Sequence, residues 1–165
     1  MESVLNSYIE SDAYFQCVLL FIFSMFPITE CRITIPIGII AFKLPWYMVF
    51  ILCVIANAAV GVFLIFTLDW LISIFSRINI FKKLLNKFID RSENKFEKYQ
   101  RFKSNGLILF VGIPLPGTGA WTGALVSYII GLNKGLSILS IILGVILSGI
   151  IVTILSLTGQ KIIFG

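Results

Sequence analysis

The chain has 165 residues, of which 58% are apolar and only 13% are charged, and its formal net charge is +5. A soluble domain carries roughly 25% charged residues, so this composition excludes an ordinary water-soluble globule. The chain contains no histidine, which excludes Ser–His–Asp catalysis and histidine-based metal sites. Its cysteines, Cys17, Cys31 and Cys53, are too scattered for a metal motif or a disulfide framework. We therefore expect a helical membrane protein with no metal and no cofactor.

The first predicted element is an interrupted apolar segment. Residues 1–12 hold three acidic residues and no Lys or Arg, unlike the positive start of a secretory signal, so we expect no cleaved leader. Residues 13–43 are apolar but are broken near their middle by charges and prolines. Because each apolar arm is shorter than the roughly 20 residues of a full crossing, the segment predicts a re-entrant hairpin. Two short crossings are the alternative, and they would move the N-terminus to the other side of the membrane.

Two uncharged runs are long enough to cross a bilayer as helices, residues 46–68 and residues 135–160. Asn57 lies in the middle of the first run and is a candidate polar contact to one of the hairpins. Small residues in both runs, including Gly61 and Ser148, are typical of close helix packing.

The segment between the spans, residues 77–103, carries nine Lys or Arg and three acidic residues, a net charge of +6. Apolar residues recur in it mostly at helical spacing, which predicts an amphipathic helix on the membrane surface. The positive-inside rule places this linker on the cytoplasmic side. We expect it to lie against anionic lipid and not to bind nucleic acid.

A second interrupted segment, residues 106–133, precedes the second span. Its middle, residues 113–123, contains two prolines and several glycines, so one straight helix is excluded. A broken apolar segment followed by a long uncharged run thus occurs twice in the chain. We predict an all-α integral membrane protein, a single membrane domain over residues 1–165. It would consist of two inverted repeats, residues 13–68 and residues 106–158, each a re-entrant hairpin followed by a transmembrane helix. The basic surface helix, residues 77–103, would join the two repeats.

Glu30 and Arg32 are the first candidate functional residues, because ionisable side chains inside a membrane are costly and usually functional. Arg32 is suited to bind a phosphate or carboxylate, and Glu30 is suited to carry a proton. Two other interpretations stay open: charges solvated at a loop, or a structural ion pair. Pro36 and Gly38 follow closely and belong to the same candidate site.

The second candidate site is the Gly/Pro-rich loop before the second span. Its glycines permit close backbone approach, its threonines offer hydroxyls, and a helix start near Gly119 would attract an anion. The alternative interpretation is a tight turn at the tip of the second hairpin, which only packs against the other hairpin. The candidate residues here are Pro114, Pro116, Gly117, Thr118, Gly119, Trp121 and Thr122.

These two motifs, Glu30-x-Arg32-x-x-x-Pro36-x-Gly38 and Pro114-x-Pro116-Gly117-Thr118-Gly119-Ala120-Trp121-Thr122-Gly123, resemble those of the small multidrug export protein family. That family is similar in plan to the DedA/VTT superfamily of paired re-entrant hairpins. The resemblance implies a prokaryotic cytoplasmic-membrane protein that moves a lipid carrier or another solute, with proton coupling.

The leading hypothesis from the sequence is a small secondary transporter or lipid translocase, not an enzyme, for an anionic lipid or small molecule. Proton or ion coupling and a homodimer are expected with it, since one chain of this size has little surface to enclose a path. The alternatives are a non-transporting membrane assembly protein and, with the least support, a lipid-modifying enzyme, because no paired carboxylates are present.

Overall fold

The structure is a computed structural model that describes residues 2–75 and 97–164. Within these ranges it contains six α-helices, one π-helical segment and no strand, which confirms the predicted all-α class. The α-helices are α1 (Glu2–Ser24), α2 (Glu30–Pro36), α3 (Trp46–Phe75), α4 (Glu97–Gly112), α5 (Ala120–Ile129) and α6 (Lys134–Phe164), and the π-helical segment, Ile37–Ala41, continues α2.

Helices α3 and α6 contain the two membrane-length apolar stretches in the described residues, Trp46–Leu68 and Lys134–Ile162. Both predicted spans are confirmed. Their outward faces carry large exposed apolar side chains such as Phe63 and Ile154, whereas polar side chains such as Asn57 are buried. An apolar exterior around buried polar groups is the arrangement that a bilayer requires.

Helices α1 and α2 form the first helix–turn–helix element. The hydroxyls of Ser24 and Thr34 join the two helices by a buried hydrogen bond of 2.7 Å. Pro36 has no amide hydrogen, and the helix widens directly after it into the π-helical segment, where Phe42 N donates to Ile37 O at 3.0 Å. The apolar part of α1 and the whole of α2 with its π-helical extension are each shorter than a full crossing requires.

Helices α4 and α5 form the second helix–turn–helix element. The predicted interruption is confirmed, because α4 ends at Gly112 and α5 begins at Ala120. Helix α5 has ten residues and is about 15 Å long, half of the roughly 30 Å hydrocarbon core. Lys103 Nζ donates to Ile130 O at 2.7 Å, so a cation caps the negative C-terminal end of α5.

The predicted amphipathic linker helix lies largely outside the described residues. Helix α4 begins at Glu97, inside the range assigned to the linker, and continues without a break into the first arm of the second helix–turn–helix element. Residues 97–103 are therefore part of the same helix as residues 104–112.

The chain divides into two compact units. Unit 1 comprises Met1–Asn57 and Ser148–Gly165, and unit 2 comprises Ala58–Leu147. Unit 1 has a core of buried apolar side chains from α1, α2, α3 and α6: Leu20, Cys31, Ile35, Ile39, Val49, Cys53 and Val152. Unit 2 buries apolar side chains from α3 to α6: Val60, Leu64, Leu107, Val111, Ala124 and Ile141. A hydrogen bond of 2.7 Å between the hydroxyls of Ser104 and Ser140 joins α4 to α6 within unit 2.

Candidate functional site

The candidate site in unit 1 is built around Glu30, the first residue of α2. Glu30 is buried, with 5% of its surface exposed, and its backbone has a φ of +40°. A non-glycine residue in this left-handed region is strained by about 1–3 kcal/mol, and such residues concentrate at functional sites. The turn before it is held by the Glu30 N–H, which donates to Phe26 O at 3.1 Å, and by the Thr29 hydroxyl, which donates to Phe23 O.

Arg32 lies beside Glu30 as an ion pair, with 3.8 Å between Arg32 Nη2 and Glu30 Oε2. The exposed fractions of the two side chains are 15% and 6%, respectively. This burial disagrees with the interpretation of both charges as solvated at a loop. It leaves the functional site and the structural ion pair as the interpretations to separate by experiment.

Cys31, between these two charges, brings side chains from two other helices into the site. Its thiol is buried and lies beside the side chains of Asn57 on α3 and Ser148 on α6. The sequence predicts Asn57 as a contact to one of the hairpins, but it indicates only helix packing for Ser148 and no metal or disulfide role for Cys31. The signal for Ser148 was a hydroxyl in the middle of an apolar span, which is weak because serine is also a common packing residue.

Pro36 and Gly38 shape the backbone that supports this cluster. A Cβ atom on Gly38 would lie 2.6 Å from Val49 Cγ1 and 2.9 Å from Leu20 Cδ1. Only glycine therefore lets the second arm approach both α1 and α3 so closely. Pro36 and Gly38 therefore lie at the junction of α2 and the π-helical segment, where they serve packing.

The second candidate site, in unit 2, is a tightly folded turn. The Thr118 hydroxyl lies 2.8 Å from Ile113 O and 2.9 Å from Leu115 O, and Thr122 Oγ1 donates to Gly119 O at 3.2 Å. Gly117 has a φ of +83°, which favours glycine there. The geometry fits the packed-tip interpretation, because both threonine hydroxyls donate to the backbone of the turn itself.

The predicted helix start in this turn is also present. Gly119 precedes α5 with an extended backbone and makes no side-chain cap, and Trp121 is half-buried in the first turn of the helix. Pro114 is half-buried, whereas Pro116 is exposed. Residues 113–123 contain no charged side chain, so anion binding here would depend on backbone N–H groups alone.

The structure thus pairs Glu30 with Arg32 in unit 1 and places Asn57 beside the neighbouring Cys31, whereas Gly38 packs against Val49 and Leu20. The candidate residues of the loop lie in unit 2 as a separate group. Among the described residues there is no group of three or more His, Cys, Asp or Glu that could hold a metal ion.

The described residues form helices without strands, two of these helices are apolar and of crossing length, and the outer surface is apolar. These features define an integral membrane protein. Comparison with protein families gives a match over residues 30–151 to the model described as "Putative small multi-drug export protein". The match includes both motifs, and the chain belongs to this family, as the sequence resemblance predicted. No curated protein and no solved structure matches the chain.

Proposed function

We propose that this protein is a small secondary transporter or lipid translocase for an anionic lipid or an anionic small solute. One observation carries the proposal: the buried pair of Glu30 and Arg32, 3.8 Å apart, at a strained helix start within a membrane protein. Burying two charges is costly, and a purely structural pair is often no better than apolar residues of similar size. A site that binds a charged solute during transport would explain why the protein buries these two charges despite the cost in free energy.

The pair also provides a way to couple an anion to a cation. While Glu30 is ionised, it neutralises Arg32 and competes with an incoming phosphate or carboxylate. Protonation of Glu30, or a cation bound to it, would remove this competition and let Arg32 bind the anion. Binding of the two solutes would then be mutually favourable, which is the thermodynamic requirement for coupled transport.

We further propose that the two helix–turn–helix elements are re-entrant hairpins of two inverted repeats. The composition of the units supports this plan. Each unit contains one hairpin, the first part of the long helix that follows it, and the last part of the other long helix. The shortness of α5 and of α2 with its extension also favours arms that enter the membrane without crossing it. Similarity to the DedA/VTT superfamily stays a prediction.

A flux assay in proteoliposomes tests the proposed function. Labelled polyprenyl phosphate or phospholipid is incorporated, a proton gradient is imposed, and movement between leaflets is measured. We expect wild-type protein to move the lipid, Arg32→Lys to move it about tenfold more slowly through loss of the bidentate guanidinium contact, and Arg32→Ala to be inactive. Arg101→Ala is the matched control, because Arg101 is exposed on α4.

Unchanged flux in both Arg32 variants would refute the assigned site. Absence of flux in all proteins, with intact folding, would favour the alternative hypothesis of a membrane assembly protein. That hypothesis predicts instead that one partner co-purifies in fixed proportion.

We also propose that the working form is a homodimer. A single chain of 165 residues, with large apolar side chains exposed on both spans, has little protein with which to enclose a hydrophilic path. Native mass spectrometry of protein released from lipid nanodiscs should give twice the chain mass. A species of one chain mass in both nanodiscs and mild detergent would contradict the dimer.

A further inference from the structure

An open groove lies in unit 1 between α1 and the first part of α3. Its volume is about 730 Å³, and sites for small molecules have volumes of roughly 300–1,000 Å³. None of the side chains that line it is charged, and most are apolar: Ala13, Val18 and Phe21 from α1, and Met48, Ile51 and Leu52 from α3. A groove of this size and polarity is suited to a hydrocarbon ligand.

Contacts around Gly38 show how α1 lies beside the groove. A Cβ atom on Gly38 would touch both Leu20 on α1 and Val49 on α3, so Leu20 and Val49 lie at one level. Further along α1, the hydroxyl of Ser24 is bonded to that of Thr34. Because Ser24 follows Leu20 whereas Thr34 precedes Gly38, α1 is antiparallel to α2 and its π-helical extension.

Helix α2 is also antiparallel to α3. Gly38, in the extension of α2, lies beside Val49, and Cys31, near the start of α2, lies beside Asn57 further along α3. Since α2 is antiparallel to both neighbours, α1 and α3 are parallel to each other. The groove between them therefore has one end near the start of the α3 span and the other end deeper along that span.

The first of these ends lies at the level of the membrane interface. Tyr47 is the second residue of the membrane-length stretch that begins at Trp46, and the two rings pack edge to face with 6.0 Å between their centroids. Tyr14 on α1 lies close to the level of Lys43, just before the span. Tyr14 and Tyr47 both line the groove and are 75% and 57% exposed. Because tyrosine and tryptophan concentrate at the headgroup level of membranes, the groove opens at that level.

The depth of the groove favours a lipid chain over a second copy of the protein. The lining residues of α1, from Ala13 to Phe21, extend about 12 Å along the helix, which is less than the about 15 Å of hydrocarbon in one leaflet. A spanning helix of a second copy would need an apolar groove along the whole core of roughly 30 Å. An acyl chain enters from one surface and stays within one leaflet.

Charges at the groove opening complement a headgroup that has both signs of charge. Asp12 precedes the first lining residue of α1, and Lys43 precedes the span of α3. Both residues are exposed. A zwitterionic phospholipid carries an ammonium group for the carboxylate and a phosphate for the lysine. The opening therefore differs from the Glu30–Arg32 site, to which we assign an anion.

We propose that this groove binds one phospholipid with a zwitterionic headgroup, whose acyl chain lies between α1 and α3. The chain supplies contacts that an empty groove would forfeit, and it ties the first arm of the first hairpin to the span that follows. The proposal rests on the membrane location of the protein and does not depend on transport.

Native mass spectrometry tests this site after the protein is extracted into mild detergent from nanodiscs of phosphatidylethanolamine. We expect wild-type protein to retain one lipid per chain. Ala13→Phe and Val18→Phe fill the groove from α1, and each should lower the retained fraction about tenfold, because the added ring displaces buried methylene groups of the lipid. Ala59→Phe is the matched control, because Ala59 is exposed on α3 outside the groove. Wild-type protein without retained lipid, or equal retention in a folded groove-filling variant, would overturn the proposal.

A photoreactive benzoylphenylalanine in place of Met48 identifies the occupant without the groove-filling variants. After extraction and illumination, we expect an adduct of one chain with one lipid. The same photoreactive residue in place of Ile154, which is exposed on α6 outside the groove, should give little adduct. Equal lipid labelling at both positions would indicate ordinary bilayer contact, and a product of twice the chain mass from Met48 would place a second copy in the groove. Either result would overturn the proposal.

Discussion

Replacing Arg32 with methionine should destabilise the folded protein by about 3 kcal/mol, because the variant leaves the buried charge of Glu30 without its ion-pair partner. The two side chains are only 15% and 6% exposed, so water would compensate little of this loss. The double variant Glu30→Gln/Arg32→Met should recover most of the stability, since it removes both charges together. Thermal unfolding in mild detergent measures the three proteins, and we expect the single variant to lose roughly 6 to 12 °C in Tm.

Arg101→Met is the control for this experiment, because it removes an arginine that is exposed on α4, and its effect should stay within about 0.5 kcal/mol. A double variant as unstable as Arg32→Met would contradict the argument, since the loss would then come from packing or from other contacts of Arg32. A double variant that is stable but inactive in the flux assay would be the clearest sign that the charges are kept for transport.

The backbone at Glu30 is a second unusual feature of this residue. At Gly117 and Gly131 the chain uses glycine for positive φ angles of 83° and 62°, where glycine has no steric cost. At Glu30 and at Lys43 it accepts the strain of a charged residue, with φ angles of +40° and +55°. Glu30 differs from Lys43 in being buried as well, so the carboxylate at this position carries both a backbone cost and a burial cost.

The long helices could be predicted from the sequence because one physical requirement fixes them. An uncharged run of about 20 residues crosses a membrane, and the predicted run 46–68 lies within α3, which begins at Trp46 and continues to Phe75. The break between α4 and α5 could be predicted for an equally local reason, since Pro114 and Pro116 cannot continue a helix. The π-helical segment after Pro36 was not predicted, because a proline indicates a disturbed helix but not which hydrogen-bond pattern follows it.

The candidate site was only partly predictable, since its members come from distant parts of the chain. Glu30 and Arg32 were evident as charges in an apolar segment, and Asn57 as an amide within a span. Ser148 lies almost one hundred residues further along and is one of several serines in α6. Only the structure distinguishes it from Ser140 and Ser156, because it lies beside Cys31, whereas the other two hydroxyls donate to carbonyls within α6.

Gly144→Ala should be the most disruptive single-methyl change in unit 2. A Cβ atom at this position of α6 would lie 2.6 Å from Val111 Cβ and 3.1 Å from Ile108 O on α4. Neither atom is the end of a flexible side chain, so the helices themselves must separate. Overpacking of this kind costs about 1–3 kcal/mol, and we expect a loss of about 2 kcal/mol in thermal unfolding.

Gly106→Ala is the matched control, because no atom lies within 4 Å of its added methyl group on α4. Alanine is the better helix former by about 0.5–1 kcal/mol, so this variant should be slightly more stable than wild type. The same glycine-to-alanine change should therefore lower the stability at Gly144 and raise it at Gly106. The difference between the two variants separates the effect of close packing from that of helix propensity. Equal stabilities of the two variants would mean that Val111 does not occupy the space beside Gly144. The small residues of α6 would then need an explanation other than the close approach of α4.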